Sequence, residues 1–489
     1  MTLTTKRSEK ASSFSERGIF LILLLAAGLY CFQLGDNGLW IDEFSSLQDA
    51  QTLPESLNPI RPLYYIVLRF WMTFGTGDIW LRGLSVILGL ASVFLLHRLA
   101  KRVAGIDVAN VTAILLACSP LALNHVQEVR MYPLGNVLTL AGSLFLLQAL
   151  EAPTNFAVGK WVIARVLGVL TIPLSILLLV SDGLIVLWTF RQRLQVLVKF
   201  AVGMVCIGLL LVPSAVAMVT TAGPEFVSDW SADLAKPGLM AIFAKLTSFT
   251  AFWPLASLPS SLPIKGFYYA YTLLLAVLLA IALGRLKRVT ALRWVALWAF
   301  CPAALMLVVS YALSPIWNGR YLLFLGPYVL TLLAVGFCKI ADKTRRGAIV
   351  LTLIYILAVG GGLHQYYANW DRDGWKAAVE EIVAEEKAGD AIAVYAPLND
   401  PRLAVDRYYT GPAKLYPMGP FQGAVSKEEV SRVLTELPTD EPRLWIVFRN
   451  INGNREANKL VAQGIEEKYA LQEKFRFPGP ITVFLVVSR

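Results

Sequence analysis

Two adjacent acids, Asp42 and Glu43, stand in the stretch Trp40-Ile41-Asp42-Glu43, just after a first apolar run from Ile19 to Leu34. A basic-aromatic stretch, Arg61-Pro62-Leu63-Tyr64-Tyr65, follows. Acids bordering a membrane span are costly unless they meet water, a partner or a substrate. Asp42 is therefore the expected working carboxylate, a general base that takes the proton of an acceptor hydroxyl as it attacks an electrophilic carbon. Neighbours in sequence point apart on a helix or a strand, so the pair does not act on one atom from two sides. Glu43 is expected to orient Asp42, pair with a basic residue or help hold a metal. The plain alternative is a solvated loop, or a surface pairing with Arg61.

Three arginines, Arg61, Arg130 and Arg320, sit beside prolines or aromatics at the ends of apolar runs. A guanidinium fork suits phosphate oxygens, and a departing phosphate builds charge that such a fork stabilises. Snorkelling is the competing account of any one arginine near a helix end. Trp40, Tyr64, Tyr65, Tyr132, Trp317 and Tyr321 could line a lipid or sugar pocket, or form the aromatic belt of a membrane protein. His125 and His364 are read as capping or packing residues, because no second His or Cys accompanies either. No metal site is predicted from His or Cys spacing. The acid pair leaves a divalent cation, Mg or Mn, open.

What must position these residues is a membrane scaffold. Of 489 residues 56% are hydrophobic and 16% charged, where a soluble domain carries about 45–50% and 25%. The net charge of +10 lies in short clusters between apolar runs, which argues for cytoplasmic loops rather than nucleic-acid binding. The five cysteines fall in or beside apolar runs without metal or disulfide spacing. Lys6, Arg7, Lys10 and Arg17 precede a first run longer than a signal-peptide core, with no small-x-small site after it, so a retained first helix is expected.

In order, crossings are expected over 19–34, 80–96, 108–123, 134–150, 162–172, 176–190, 200–219, 268–283, 294–313, 322–337 and 349–363, about eleven in all. The piece 63–74 is too short to cross and carries Arg69, so an interfacial helix is predicted. Lys160 and Arg165, then Arg285, Lys287, Arg288 and Arg293, then Lys339, Lys343, Arg345 and Arg346, mark the inner side. The long segment 220–265, with Glu225, Asp229, Trp230 and Asp233, reads as an interfacial or re-entrant loop. On this topology the acid pair and all three arginines share the opposite face. From about Trp370 the composition becomes that of a soluble α/β domain. It has a helix over 374–388 with Trp375, Val379, Ile382 and Val383 on one face, strands over 391–396, 443–449 and 481–487, and a Ser426/Glu429 capping box. Accessory support or acceptor recognition is expected of it rather than independent catalysis.

The ordered set Trp40-Ile41-Asp42-Glu43, Arg61-Pro62-Leu63-Tyr64-Tyr65, Leu81-Arg82-Gly83-Leu84-Ser85 and Gln127-Glu128-Val129-Arg130-Met131-Tyr132-Pro133 resembles bacterial GT-C glycosyltransferases. The group it resembles is that of the protein O-mannosyltransferases and aminoarabinose-lipid A transferases (glycosyltransferase family 39-like). The resemblance covers residues 18–365 and implies a polytopic α-helical GT-C membrane domain there, after a cytoplasmic N-terminus 1–17 and before an extracytoplasmic α/β domain 366–489. It implies an inverting transfer of one sugar from a polyprenyl-phosphate donor to a lipid, glycan or protein hydroxyl, on the periplasmic face of a bacterial inner membrane. Asp42 then matches the catalytic first-loop aspartate, Glu43 completes the acid pair, and Arg61 sits where relatives carry a basic residue that meets the lipid phosphate. Many relatives have two prolines after that residue; this chain has one. Arg130 and Arg320 carry over more loosely. The rival readings are a transporter or flippase of lipid-linked saccharides, which usually shows internal repeats and midplane charges, and an oligosaccharide ligase or polymerase.

Overall fold

The structure, a computed structural model, describes residues 3–53, 57–58, 60–222, 236–253, 257–287, 289–313, 315–369, 374–395, 402–419, 427–438, 441–449, 455–479 and 481–489. Glu225, Asp229, Trp230, Asp233, Arg288, Trp370 and Ser426 lie outside the described residues. The chain divides into two compact units, 1–32 with 49–369, and 33–48 with 370–489.

The first unit is helical, and the chain is a polytopic membrane protein. Among the described residues eight helices are long and apolar enough to cross a bilayer, from Asp78–Ala104 to Arg345–Ala368. The expected crossing over 108–123 is a bent pair, Ile106–Ala117 and Pro120–Val126, with 61° between them. The bend has a local cause. Pro120 cannot continue the ladder, and Ser119 starts a new helix by accepting the Ala122 N–H on Oγ at 3.3 Å. The two other expected crossings correspond to shorter helices, the apolar Arg17–Cys31 stretch and Asn155–Val169. The short apolar piece after Arg61 is the helix Pro62–Met72.

Arg165 corrects the topology argument. It does not mark an inner loop but lies buried in the middle of the helix Asn155–Val169, paired with Asp182 on the helix Leu178–Phe190. Its Nε donates to Asp182 Oδ2 at 2.7 Å and its Nη2 to Oδ1 at 3.0 Å. Trp161 and Trp298 each donate an indole N–H to the same carboxylate at 2.8 Å. A buried ion pair is stable only when its remaining donors and lone pairs are used, and here a tryptophan closes the site from either side.

The second unit is an α/β sandwich around a five-stranded sheet. The strands are β1 (Asp390–Tyr395), β2 (Lys414–Met418), β3 (Arg443–Arg449), β4 (Tyr469–Arg476) and β5 (Ile481–Ser488), in the order β2-β1-β3-β5-β4. The β2, β1 and β3 strands are parallel; β5 runs antiparallel to both β3 and β4. The three central strands are the apolar runs read from sequence. Strands β2 and β4 escaped that reading because edge strands carry what central ones cannot, Pro417 in one and Glu473 and Lys474 in the other. The first helix, Trp375–Glu385, buries Trp375, Ala378, Val379 and Ile382, while Val383 is 51% exposed and falls outside the stripe. Gly389, at φ +88°, makes the turn into β1.

Candidate active site

The acid pair opens the helix Ile41–Gln51, where carboxylates are favoured by the helix dipole. The Trp40 carbonyl accepts the N–H groups of Glu43 (2.9 Å) and Phe44 (3.1 Å), so Trp40 stands at the cap. Glu43 reaches back and accepts the Trp40 N–H on Oε2 at 3.0 Å, as the third-position acid of a capping box does. Glu43 is fully buried and Asp42 half-buried. The two neighbours thus differ as their opposed directions require: one braces the turn, the other reaches the surface.

That turn is held by the second unit. The Leu39 N–H donates to Tyr408 Oη at 2.7 Å, and the Phe44 ring meets the Tyr408 ring edge-on at 6.4 Å. Gly38 approaches the helix Trp375–Glu385 so closely that a Cβ there would stand 2.7 Å from Lys376 Cβ. The C-terminal domain therefore grips the segment carrying Asp42.

The arginines belong to the first unit. Arg61 caps a helix whose first residue is Pro62, and Tyr64 and Tyr65 pack edge-to-face at 5.6 Å just inside it. Burial pushes the Tyr65 phenol up, while the guanidinium groups of Arg61 and Arg130 pull against that shift and the Asp49 carboxylate adds to it. Arg61 and Arg130 thus both lie within electrostatic reach of Tyr65. Tyr64, Tyr65 and Tyr132 are all buried, which rules out a lipid-facing belt for these three.

Arg130 lies in a stretch, Asn124–Pro133, that is buried throughout. Glu128 organises it. Its Oε2 pairs with His125 Nδ1 and its Oε1 accepts Asn124 Nδ2, each at 2.9 Å, while its backbone carbonyl accepts Ser85 Oγ at 2.6 Å. Gln127 donates to the carbonyls of Tyr30 and Phe32 and accepts from Tyr366 Oη at 2.7 Å. The His125 ring lies 4.5 Å from Tyr132 and 5.7 Å from Trp253. Its Nε2 and Asn136 Oδ1 have no hydrogen-bond partner among the described residues, and both residues border one small cavity with Ser92.

Arg320 starts a short 3-10 helix beside Tyr321. A Cβ on the preceding Gly319 would stand 3.3 Å from Trp253 Nε1 and 3.7 Å from Lys245 Nζ. Lys245 is a candidate that the sequence reading passed over. Its signal was a single charge inside the apolar helix Leu239–Thr250. Trp40, Asp42 and Glu43 belong to the second unit, and Arg61, Arg130, Arg320 and the three tyrosines to the first. Among the described residues no three His, Cys, Asp or Glu side chains gather as a metal cluster, so a cation at the acid pair would have no third such ligand there.

No family model and no curated protein sequence matches the chain. Solved structures do. ArnT from Cupriavidus metallidurans bound to undecaprenyl phosphate superposes with a TM-score of 0.57 at 13% identity, over 96% of this chain and 97% of that one. The same protein in its apo state gives 0.58 at 14% identity, over 97% and 98%. The Archaeoglobus fulgidus oligosaccharyltransferase gives 0.56 at 11% identity, over 94% of this chain and 73% of that one. Helical part and C-terminal sheet together have counterparts in ArnT, and at such low identity it is the architecture that is shared. The fold of this chain is that of the GT-C glycosyltransferases.

Proposed function

We propose that this chain is an integral membrane glycosyltransferase that moves a sugar from a polyprenyl-phosphate donor to a hydroxyl acceptor, with Asp42 as general base. The observation that carries the reading is the asymmetry of the acid pair. Glu43 is buried and gives an oxygen to the Trp40 N–H, while Asp42 is half-buried at the first turn of the same helix. The shared fold, and the undecaprenyl phosphate bound to one of the similar structures, support a lipid-phosphate donor. The basic-loop pattern of the sequence favours the non-cytoplasmic side for residue 42, and the family resemblance supports assigning that side to the periplasmic face of a bacterial inner membrane.

The chemistry is one displacement. The acceptor oxygen attacks the anomeric carbon as Asp42 takes its proton, and the bond from that carbon to the lipid-phosphate oxygen breaks with inversion. The electron pair leaves with the phosphate. Arg61 and Arg130, both within electrostatic reach of Tyr65, are assigned to that phosphate, with Arg320 and Lys245 as further cations of the same unit. Preorganised donors of this kind are worth roughly 10²–10³ in rate each. Tyr64, Tyr65 and Tyr132, all buried in the first unit, are assigned to the walls of the sugar and lipid pocket. No step as written requires a metal, and a divalent cation at Asp42 would draw one carboxylate there, since Glu43 is buried and engaged with the Trp40 N–H.

The test is transfer by the purified full chain from a panel of polyprenyl-phosphate sugars. Asp42→Asn is expected to lower transfer by about 10²–10⁴, the usual worth of a general base, with donor binding retained. Arg61→Ala is expected to weaken donor binding instead. An Asp42→Asn enzyme working at the wild-type rate would end the general-base assignment. The likeness to an oligosaccharyltransferase favours one second reading, an oligosaccharide ligase, which transfer from a lipid-linked oligosaccharide would reveal. Movement of a labelled lipid across vesicles without transfer would indicate a flippase.

A further inference from the structure

The helices Asp78–Ala104 and Tyr132–Glu151 pack along one another with their C-terminal ends together, and Arg102 fastens those ends by pairing with Glu151 at 2.5 Å. Two C-termini side by side place two negative dipole ends at one spot, which favours cations there. Between the helices runs a groove of about 560 Å³. Phe94, Leu144 and Phe145 line its length, and Arg98, Lys101 and Arg102 its basic end.

The grading from apolar to basic follows helix periodicity. Phe94, Arg98 and Lys101 lie three or four residues apart and share a face, and the Arg98 guanidinium stands 5.9 Å from the Phe94 ring centre. On the far side Lys160 Nζ lies 5.1 Å from the Phe145 ring centre and donates to Gln148 at 2.8 Å. Arg98, Lys101 and Arg102 thus line one groove end, with Lys160 against two further lining residues, Phe145 and Gln148, and the Glu151 carboxylate pairs with Arg102. A basic end on an apolar groove between membrane helices has the chemistry of a lipid carrying a phosphate and an acyl chain.

We infer that this groove binds an anionic phospholipid. The headgroup phosphate lies at Arg98 and Lys101, with Lys160 beside it, and an acyl chain runs along Phe94, Leu144 and Phe145. No residue of the candidate active site takes part, so the inference stands apart from the proposed reaction. Other basic stretches of the chain, such as Arg345-Arg346, carry charge at an exposed helix start and serve as the control.

The experiment is native mass spectrometry of the purified full chain exchanged into mixed phosphatidylglycerol and phosphatidylethanolamine. Wild type should retain phosphatidylglycerol in preference. Arg98→Gln with Lys101→Gln should lose that preference about 10- to 30-fold, at roughly fivefold per cation near an anionic lipid. Arg345→Gln with Arg346→Gln should keep it. Leu144→Trp, which fills the groove without touching charge, should lower retention of the same lipid. Equal retention of both lipids by wild type would overturn the inference, as would equal losses in the two charge variants, which mean a diffuse surface field. Unchanged retention in Leu144→Trp would remove the groove. Melting in phosphatidylethanolamine alone checks that each variant is folded, and Leu144→Trp carries the test should the charge variant not be.

Discussion

Two buried ionic clusters in the first unit invite comparison, one at Asp182 and the other at Glu128. Asp182 receives four donors, two from Arg165 and one each from Trp161 and Trp298. Arg165 uses its remaining reach on the Thr139 carbonyl and Ser143 Oγ. Every helix that contributes to the cluster is tied to it. The Glu128 cluster is as deeply buried but is not closed. It joins a histidine, an asparagine and an arginine-bearing loop, and His125 Nε2 and Asn136 Oδ1 are left without partners among the described residues. Satisfied buried charge is a brace; buried polar atoms left open mark a place where something else is bound or moved. Charge inside a membrane domain can therefore mean either, and the hydrogen-bond pattern separates the two.

That contrast can be broken by measurement. The largest effect is expected from Arg165→Met, which strands Asp182 as an unpaired buried charge. It should cost about 3–5 kcal/mol of stability, read as a lower unfolding midpoint in detergent. A loss under about 1 kcal/mol would show that the clasp is ornamental. Glu128→Gln keeps the shape but removes the charge that orients His125. It should cost less stability, about 1–2 kcal/mol, while lowering sugar transfer at least tenfold. A variant as unstable as Arg165→Met but fully active per folded molecule would make the two clusters equivalent.

The smallest effect concerns a second clasp, in the other unit. Asp390 accepts Arg443 Nε at 2.9 Å and Nη2 at 2.6 Å, the Trp445 indole at 2.9 Å and the Lys387 N–H at 3.0 Å. Burial alone would raise its pKa, but these donors outweigh it and hold the carboxyl below the usual carboxylate range. A depressed folded-state pKa stabilises above the unfolded value of about 3.9 and is lost as pH falls through the folded one. The stability advantage of wild type over Asp390→Asn should therefore be constant near neutrality and shrink below about pH 4. An advantage that did not change with acid would show that the pair is not what holds β1 to β3.

Much of the fold was legible because its signals are local. Apolar runs of the right length name the membrane helices, and alternating or continuous Val, Ile and aromatic runs name β1, β3 and β5. Strands β2 and β4 hid because edge strands are selected against looking like strands. The candidate site was legible only as a set of residues. Asp42, Glu43, Arg61, Arg130 and Arg320 stand out by charge beside apolar runs, whereas Lys245 is one lysine in an apolar helix whose neighbour, Gly319, lies 74 positions away.

By itself the sequence determined that this chain carries apolar runs long enough to span a membrane, that a stretch of α/β composition follows them, and that an acid pair stands just after the first run. Each of these depends on interactions within a few turns, or on the match between a run of side chains and the thickness of a bilayer. Only tertiary structure decided that Asp42 rides on the C-terminal domain through Tyr408, that Asn124–Pro133 is buried, and that Arg165 answers Asp182 rather than the cytoplasm. The reason is that pairing between residues distant in the chain is set by packing, and a single side chain carries no record of which partner it will meet.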